Sequence, residues 1–592
     1  MFLRARERKK NGKSHRYYSV VENRRVAGGG HTQRQVLYLG EINDSQEAAW
    51  RRTLEVFDET RQRSETLALF PEDCPLPPGA LNAIHVRLEQ MELKWPRAFG
   101  NCWLAGEIWK QLELDKFWQR KLSAHRGDVP WEKVLQLLVV NRLIAPGSEF
   151  HLHREWYDAS AMDQLLDCDF AVAAKDRLYR CLDLLLQHRD ETFAHLKERW
   201  RDLFNAPFDV LLYDLTSTYF EGLCEQIPKA KHGYSRDGRP DCRQVVIALV
   251  VTPDGLPLAY EVLPGNTSDR ATLKDFLKKI ETRYGKARRV WVMDRGIPTE
   301  EVLSQMRQEG VQYIVGTPKG SLSKVEALFL QKPWSEVHEG VSVKLLEQSG
   351  ELLVLAQSAA RANKERAMRR RRLRGYFQGL LRLRRQTPSR DKLLQRLGVL
   401  RHEAGRAASL VEVHVPREGE SVTRETFFWR LKTDLFKAAE GRDGHYLLRS
   451  NITGEKPEVL WERYVQLTEI ESAFKALKSD LAIRPIHHQL EARVEAHIFV
   501  AFLAYCLLAT LRRRLAVHAP GLTGRQALEK LGRIQMLDVW LPTSDGRWLI
   551  MPRYTHPDAE QQMVLEKLKL ELPAQQPPRI RSNGTLLPPS SQ

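Results

Sequence analysis

Three acidic residues are the side chains that point most directly to chemistry. Asp214 ends the apolar run 208–213, Asp294 ends the run 290–293, and Glu471 lies within 461–480, a stretch with helical spacing. Carboxylate oxygens are ligands that Mg²⁺ prefers. Two such ions held about 3.5–4 Å apart can act together on a phosphodiester bond. Two strand-end aspartates and a glutamate on a helix are therefore a candidate two-metal site.

The position of the two aspartates supports this interpretation and also leaves an alternative open. An acid at the carboxyl end of a buried strand points into the crevice at the edge of an α/β sheet, where such folds usually place their sites. A single strand-ending aspartate is also a common turn or helix-capping residue. The functional interpretation therefore depends on both strands and the later helix occurring together.

The elements around these acids predict a fold. Strands at 208–213, 244–251 and 256–263 are followed by a helix at 269–284, a strand at 289–293, a helix at 299–309 and a strand at 312–315. This is the element order of a ribonuclease-H-like core that lacks one further helix. The helix 461–480 would supply it after an insertion. We therefore predict an α/β fold: a ribonuclease-H-like catalytic core with a β-rich insertion domain and a mostly helical N-terminal region.

The rest of the chain is divided by composition. We expect a β-hairpin over 15–42 with a turn at Gly28–Gly30, a charged helix from Ser45 to about Leu67, and a proline-rich linker at 71–78. Helices are expected at 103–114, 131–143, 175–187 and 190–204. The predicted domains are 1–70 (hairpin and helix, DNA-binding), 80–205 (helical, DNA-binding or dimerisation), 206–316 (core, first part), 317–454 (insertion), 455–572 (core, second part, and C-terminal helices) and 573–592 (disordered tail).

Charge favours a polyanionic partner. The 592 residues include 92 Lys and Arg against 75 Asp and Glu, a formal net charge of +17. The stretch 361–385 is strongly basic, with Glu365 as its sole acid. We expect it to contact phosphates through Arg369, Arg370, Arg371 and Arg372; the alternative is a solvated charged helix.

Other classes of protein are disfavoured. Seven scattered cysteines with no C-x-x-C pair indicate neither a zinc site nor a disulfide framework. The N-terminus has no apolar segment of signal-peptide length, and the apolar run Ile498–Leu511 is too short to span a bilayer. We expect a soluble, cytoplasmic protein without membrane contact.

Four strings of residues resemble the DDE transposases of bacterial insertion sequences, in the group with a strand-rich domain inserted before the catalytic glutamate. The strings are Tyr213–Thr218, His232–Asp241, Pro264–Asp269 and Val292–Gly296. The group also carries a signature spaced Y-x2-R-x3-E-x6-K. Tyr464, Glu471 and Lys478 match it, whereas Leu467 stands at the arginine position, for which Arg463 or Arg484 are candidate substitutes.

The resemblance implies a function and a cofactor. Asp214, Asp294 and Glu471 would hold two Mg²⁺ ions, for which Mn²⁺ could substitute. The protein would bind the terminal inverted repeats of its element, cut the DNA and join it to target DNA, as a homodimer that pairs two ends near the bacterial nucleoid. The alternatives are a structure-specific nuclease of the same fold and a catalytically silent regulator.

Further residues are candidates for DNA contact. Tyr464, Glu471 and Lys478 are each seven residues apart, close to two helical turns, so they are expected on one face. Lys478 would donate to a phosphate and Tyr464 would stack beside the cut; the alternative is a packed tyrosine and a solvated lysine. His232 could contact DNA or position a catalytic acid, although a loop histidine is often only solvated. Arg236 and Arg239 are expected to meet phosphate if the duplex crosses their loop.

Overall fold

The computed structural model describes residues 2–10, 13–25, 31–40, 53–58, 63–68, 83–123, 130–267, 278, 289–294, 299–317, 322, 325–329, 331–348, 350–386, 389–543 and 546–581. The N-terminal strands are β1 (Phe2–Lys10), β2 (Lys13–Arg25), β3 (His31–Gly40), β4 (Thr53–Asp58), β5 (Arg63–Ala68), β6 (Ala83–Val86) and β7 (Glu92–Ala98). β1, β2 and β3 form one small sheet, and β4 lies between β5 and β6 in another.

The predicted N-terminal hairpin is confirmed as the antiparallel pair β2–β3, in which Val20 faces Leu37. β1 extends this sheet and was not predicted. The helix predicted from Ser45 to about Leu67 is wrong, because β4 and β5 occupy 53–58 and 63–68. These segments contain β-branched and aromatic residues that favour extended backbone. The predicted turn at Gly28–Gly30 and the linker 71–78 lie outside the described residues.

A helical region follows, as predicted. Its longer helices are α1 (Gly100–Gln111), α2 (Leu114–Leu122), α3 (Trp131–Ile144), α4 (Lys175–Leu185) and α5 (Arg189–Phe204). One helix was expected at 103–114. Instead the chain breaks between α1 and α2 at Glu113, which has a left-handed backbone with φ of 51°. Trp109 and Trp118 are fully buried in the resulting core.

The central sheet begins with β8 (Val210–Tyr219), β9 (Gln244–Val251), β10 (Pro257–Pro264), β11 (Val290–Met293) and, after α6 (Glu300–Gln308), β12 (Gln312–Gly316). Their spatial order is β10-β9-β8-β11-β12. β8, β11 and β12 are parallel, whereas β9 and β10 pair antiparallel. All residues of β9 and β11 are buried, which explains their continuous apolar runs. The helix predicted at 269–284 lies outside the described residues.

Four strands of the insertion join the central sheet, and two others, 411–414 and 428–431, pair with each other in a small separate sheet. The elements of the insertion are β13 (Ser335–His338), β14 (Val341–Gln348), β15 (Glu351–Ser358), α7 (Ala359–Gln386), α8 (Arg390–Ala404), β16 (Val411–His414), β17 (Phe428–Leu431), α9 (Thr433–Gly441) and β18 (His445–Ser450). β18 pairs with β12, and β15, β14 and β13 continue outward from it, so the central sheet is nine-stranded over the described chain. The fold is thus mixed α/β with one large mixed sheet, and the predicted α/β class is confirmed.

The C-terminal elements are α10 (Pro457–Val465), α11 (Leu467–Lys475), α12 (Glu491–His518), α13 (Gly524–Leu531), β19 (Gln535–Pro542), β20 (Trp548–Tyr554), α14 (Ala559–Leu568) and β21 (Arg579–Arg581). The single helix expected over 461–480 is interrupted at Gln466. There the Thr468 hydroxyl donates to Val465 O at 2.9 Å, a side-chain bond that competes with the helix ladder and bends helices. Beyond α11 the chain widens into a π-helical turn, Ala476–Asp480.

Helix α12 lies in the centre of the main hydrophobic core. It packs against α1, α3, α4 and β10. Among the described residues it is the helix long and apolar enough to cross a membrane, but 94% of its most apolar window is buried inside the protein. The apolar run Ile498–Leu511 is therefore part of a longer helix than expected, and its burial explains its composition.

The C-terminal tail is more ordered than predicted up to residue 581. β21 pairs with β20 in a sheet of order β21-β20-β19-β7, which joins the C-terminal strands to the strand at 92–98. Ile580 packs on the cluster around Leu541 and Leu549, and Tyr554 donates from its hydroxyl to Pro573 O at 2.6 Å. Disorder from Pro573 onward is therefore wrong for 573–581, because an apolar side chain and backbone pairing anchor that segment.

We expect Leu503→Ala to destabilise the protein by about 2–5 kcal/mol, since Leu503 is 0% exposed in α12 and its truncation leaves a cavity. Val517→Ala, on the same helix but 62% exposed, is the matched control and should leave the urea midpoint unchanged. Equal shifts for the two variants would contradict the assignment of α12 as the core helix.

Candidate active site

The pairing of two parallel strands places the two aspartates side by side. In the register of β8 and β11, Tyr213 pairs with Met293, so Asp214 and Asp294 are the next residues on adjacent strands. Neighbouring strands lie about 4.8 Å apart. Asp294 does follow the last residue of β11, but Asp214 does not end its strand: β8 continues to Tyr219 along β9. The prediction that Asp214 ends its strand was wrong, because β8 continues to pair with β9 beyond the point where its pairing with β11 stops.

Glu471 approaches the aspartates from α11. This helix packs on β8 and β9 through its buried residues Ile470, Ala473 and Phe474, which leaves Glu471 exposed. Glu469 points elsewhere and accepts an ion-pair contact from Arg512 at 3.0 Å. The structure therefore separates the two glutamates, and the one at the signature spacing, Glu471, is the one that lines the cavity.

One cavity of about 300 Å³ collects these groups. Its lining is Asp214, Asp294, Thr317, Leu322, Arg361, His445, Tyr446, Leu447, Trp461, Tyr464, Val465, Leu467, Thr468, Ile470 and Glu471. Three carboxylates line it together with aromatic side chains from α10 and β18. Hard oxygen donors of this kind suit a divalent cation such as Mg²⁺, so the residues present fit the predicted metal.

The predicted strip of Tyr464, Glu471 and Lys478 is not formed. Tyr464 and Glu471 line the cavity, whereas the Lys478 ammonium lies 2.7 Å from Asp237 Oδ1. The side chains of Lys478 and Asp237 are 12% and 4% exposed, and Arg484 also contacts this carboxylate. Burial lowers the pKa of Lys478, against the opposing effect of Asp237. The bend at Gln466 and the π-helical turn change the angular spacing, so Lys478 joins a buried ion pair instead.

The loop 232–241 lies outside the cavity lining. His232 is exposed, and the backbone N–H of Arg236 donates to Ser217 Oγ on β8 at 3.3 Å. Arg239 forms an ion pair with Asp241 at 2.8 Å, and its guanidinium lies over the Tyr219 ring. The ion pair between Lys478 and Asp237 connects this loop to the segment that follows Glu471. DNA contact by these loop residues remains a prediction.

The four consecutive arginines of α7 do not share one environment. Arg369 forms a two-pronged ion pair with Asp443, with Nη1 and Oδ1 2.7 Å apart, and its side chain is 12% exposed. Arg370, Arg371 and Arg372 are exposed. The phosphate contact predicted for Arg369 is therefore replaced by a structural role, because a helix cannot present four successive residues on one face.

Neither predicted substitute for the signature arginine reaches the cavity. Arg463 pairs with Glu455 at 3.6 Å, and Arg484 is committed to Asp237. Leu467 itself lines the cavity, and so does Arg361 from the first turn of α7. Sequence reasoning placed Arg361 only in a general basic stretch. The available signal was its position just after β15, a strand of the same sheet.

A second titratable cluster lies away from this cavity. Glu149, His488 and His497, all buried, have ligand atoms within 4.8 Å of one another. Burial raises the pKa of Glu149, but contact with His488 and nearby positive charge lower it overall to about 2. Arg142 Nη2 lies 3.4 Å from His497 Nδ1 and Ile483 O lies 3.3 Å from Nε2. Both ring nitrogens of His497 are thus engaged, which favours a structural role for this histidine.

We expect Arg369→Ala to lower the free energy of unfolding by about 1.5–3 kcal/mol, because it leaves the buried Asp443 carboxylate without its main partner. Arg371→Ala is the matched control: it removes the same charge from the exposed face and should leave the thermal midpoint unchanged. If Arg369→Ala melted like the wild type, the ion pair would contribute nothing and Arg369 would be available for another role.

Comparison with known proteins identifies the family. Residues 207–507 match the family described as "Transposase DDE domain", and residues 3–66 match "IS1634 family transposase, N-terminal domain". No curated protein matches the chain. Among solved structures, a piggyBac transposase synaptic complex with hairpin DNA is similar at 10% identity and a TM-score of 0.35, covering 74% of this chain and 82% of that one. A score this low supports no conclusion about this chain. The DDE match spans just over half of the sequence and all three acids of the cavity, and the chain therefore belongs to the DDE transposases, enzymes that cut DNA and transfer its strands.

Proposed function

We propose that Asp214, Asp294 and Glu471 form the catalytic centre of this transposase and together hold two Mg²⁺ ions, which Mn²⁺ could replace. The observation that carries the proposal is that one cavity is lined by all three carboxylates. DDE transposases generally use divalent metal ions. When bound, such ions activate an attacking hydroxyl and stabilise the charge that develops on the leaving oxygen.

The chain's own residues would fix where that chemistry occurs. Asp214 accepts the backbone N–H of Leu215 at 2.7 Å, which restricts its side chain. Asp214 lies within β8, and Asp294 directly follows the buried strand β11. Glu471 comes from a helix packed on that sheet. Because rigid elements carry all three groups, little reorganisation is needed when DNA binds. The strand order β10-β9-β8-β11-β12, with α11 packed on it, supports a ribonuclease-H-like core.

Aromatic residues would shape the DNA side of the cavity. Trp461, Tyr464 and Tyr446 are grouped, with ring centroids of Trp461 and Tyr464 6.2 Å apart. Such rings can stack on bases that leave the duplex near a cut. We propose that Tyr464 contacts the DNA end in this way.

The rest of the protein would bind and pair DNA ends. We propose that residues 1–205 recognise the terminal inverted repeats, that Arg370, Arg371 and Arg372 contact phosphates, and that a homodimer holds two ends and later the target DNA. The net charge of +17 supports a DNA partner. We further propose that the protein acts in the cytoplasm, at the bacterial nucleoid.

We expect Asp214→Asn, Asp294→Asn and Glu471→Gln each to reduce cleavage of an inverted-repeat end at least about 100-fold, because each removes a ligand of ions that contribute several kcal/mol to the transition state. Gel-shift affinity for the same DNA should stay near that of the wild type. Glu469→Gln is the matched control, since Glu469 lies two residues away and pairs with Arg512.

Metal binding gives a readout independent of activity. The affinity of the protein for Mn²⁺, measured by electron paramagnetic resonance, should fall in all three variants and should not change in Glu469→Gln. A variant that cut at a substantial rate in Mg²⁺ would remove that residue from the centre. Cleaved ends without joined products would favour the structure-specific nuclease, and binding without cleavage by the wild type would favour the regulator.

A further inference from the structure

The cavity has a strong excess of negative charge for a site that must receive DNA. Asp214, Asp294 and Glu471 supply three carboxylates, and among the described lining residues Arg361 is the sole Lys or Arg. Among the described residues, the side-chain cation that a scissile phosphate entering this cavity would meet is therefore Arg361, which comes from the insertion.

Arg361 is held in a defined orientation. Its Nε donates to Glu365 Oε1 at 2.9 Å, one turn along α7. Its guanidinium lies over the ring of Tyr446, with the central carbon 3.8 Å from the centroid. Stacking and a carboxylate partner fix the plane of an arginine in a way that they cannot fix a lysine.

The supporting contacts extend into β18. Glu365 Oε2 accepts the backbone N–H of Gly444 at 3.1 Å, and Gly444 directly precedes the cavity-lining residues His445 and Tyr446. Gly444 has φ of 78°, and a Cβ there would lie 2.4 Å from Ser358 O at the end of β15. The start of α7 and the start of β18 are thus packed closely enough that a side chain at 444 would separate them.

The residue at the signature arginine position does not supply such a cation. Leu467 lines the same cavity and brings no charge, while Arg463 and Arg484 are paired elsewhere. We propose that Arg361 binds the non-bridging oxygens of the scissile phosphate, so that the insertion completes the active site with a group that α11 does not provide. This proposal rests on the proposed function of the three carboxylates.

The first test is the rate of end cleavage in a preformed protein–DNA complex. Arg361→Ala should lower this rate about 100-fold or more, since a lost donor at a developing charge typically has this effect. Arg361→Lys should recover only part of it. Lys364→Ala, an exposed cation on the same turn of α7, is the charge-matched control and should cut within about twofold of the wild type.

The second test separates phosphate contact from a structural role. In a substrate with a neutral methylphosphonate at the cut, Arg361→Ala should cause much less additional loss than in the natural substrate, because coupled losses are not additive. Adding Leu467→Arg to Arg361→Ala should restore part of the cleavage rate, since residue 467 faces the same cavity.

Two results would overturn the proposal while leaving the catalytic centre intact: Arg361→Ala cutting like the wild type, or fully additive losses with the methylphosphonate. Loss of cleavage together with a lowered melting temperature and no rescue by Leu467→Arg would reduce Arg361 to a packing role, which also contradicts it. Failure of the wild type itself to cut inverted-repeat ends would instead refute the proposed function.

Discussion

The parallel pairing of β8 with β11 is the constraint on which the candidate site depends. It places Asp214 and Asp294 at the same level of the sheet, although 79 positions separate them in the chain. A shift of one residue in this register would turn one of the two carboxylates to the opposite face. The fully buried residues of β9 and β11 oppose such a shift, because it would expose or misplace apolar side chains on both faces of the sheet.

The insertion contributes strands to the sheet that carries the site and residues to the cavity itself. Its strand β18 pairs with β12, and its strand β15 pairs with β18, so both belong to the sheet that carries the aspartates. Consequently His445, Tyr446 and Arg361 reach the cavity from elements that could have formed an independent domain. The more distant part of the insertion, around α7 and α8, has a core of its own that includes Leu380 and Leu393.

Much of the fold and part of the site could be predicted from sequence. Buried strands such as β9 and long apolar helices such as α12 have strong local patterns, and the spacing of Asp214, Asp294 and Glu471 led to one cavity. Long-range pairings could not be predicted, because no local pattern reports them. These include the joining of the insertion strands to the sheet and the pairing of β7 with β19.

The failures at individual side chains have a common cause. Lys478 was expected to face DNA from its spacing to Glu471 and Arg369 from its basic stretch, yet each pairs with an aspartate distant in sequence, Asp237 or Asp443. The bend near Thr468 likewise depends on a side-chain hydrogen bond that periodicity does not reveal. The type of a residue indicates which contacts its side chain can make, whereas its neighbours in the fold determine which of these contacts it does make.

The central claim is that three carboxylates from distant parts of the chain act as one metal-binding centre. Anomalous diffraction from crystals of the protein with Mn²⁺ and an inverted-repeat end tests it most directly. We expect two anomalous peaks about 3.5–4 Å apart, which mark Mn²⁺ ions bound by Asp214, Asp294 and Glu471. Ions bound elsewhere, for example at Glu149, His488 and His497, with none at the three acids, would contradict it.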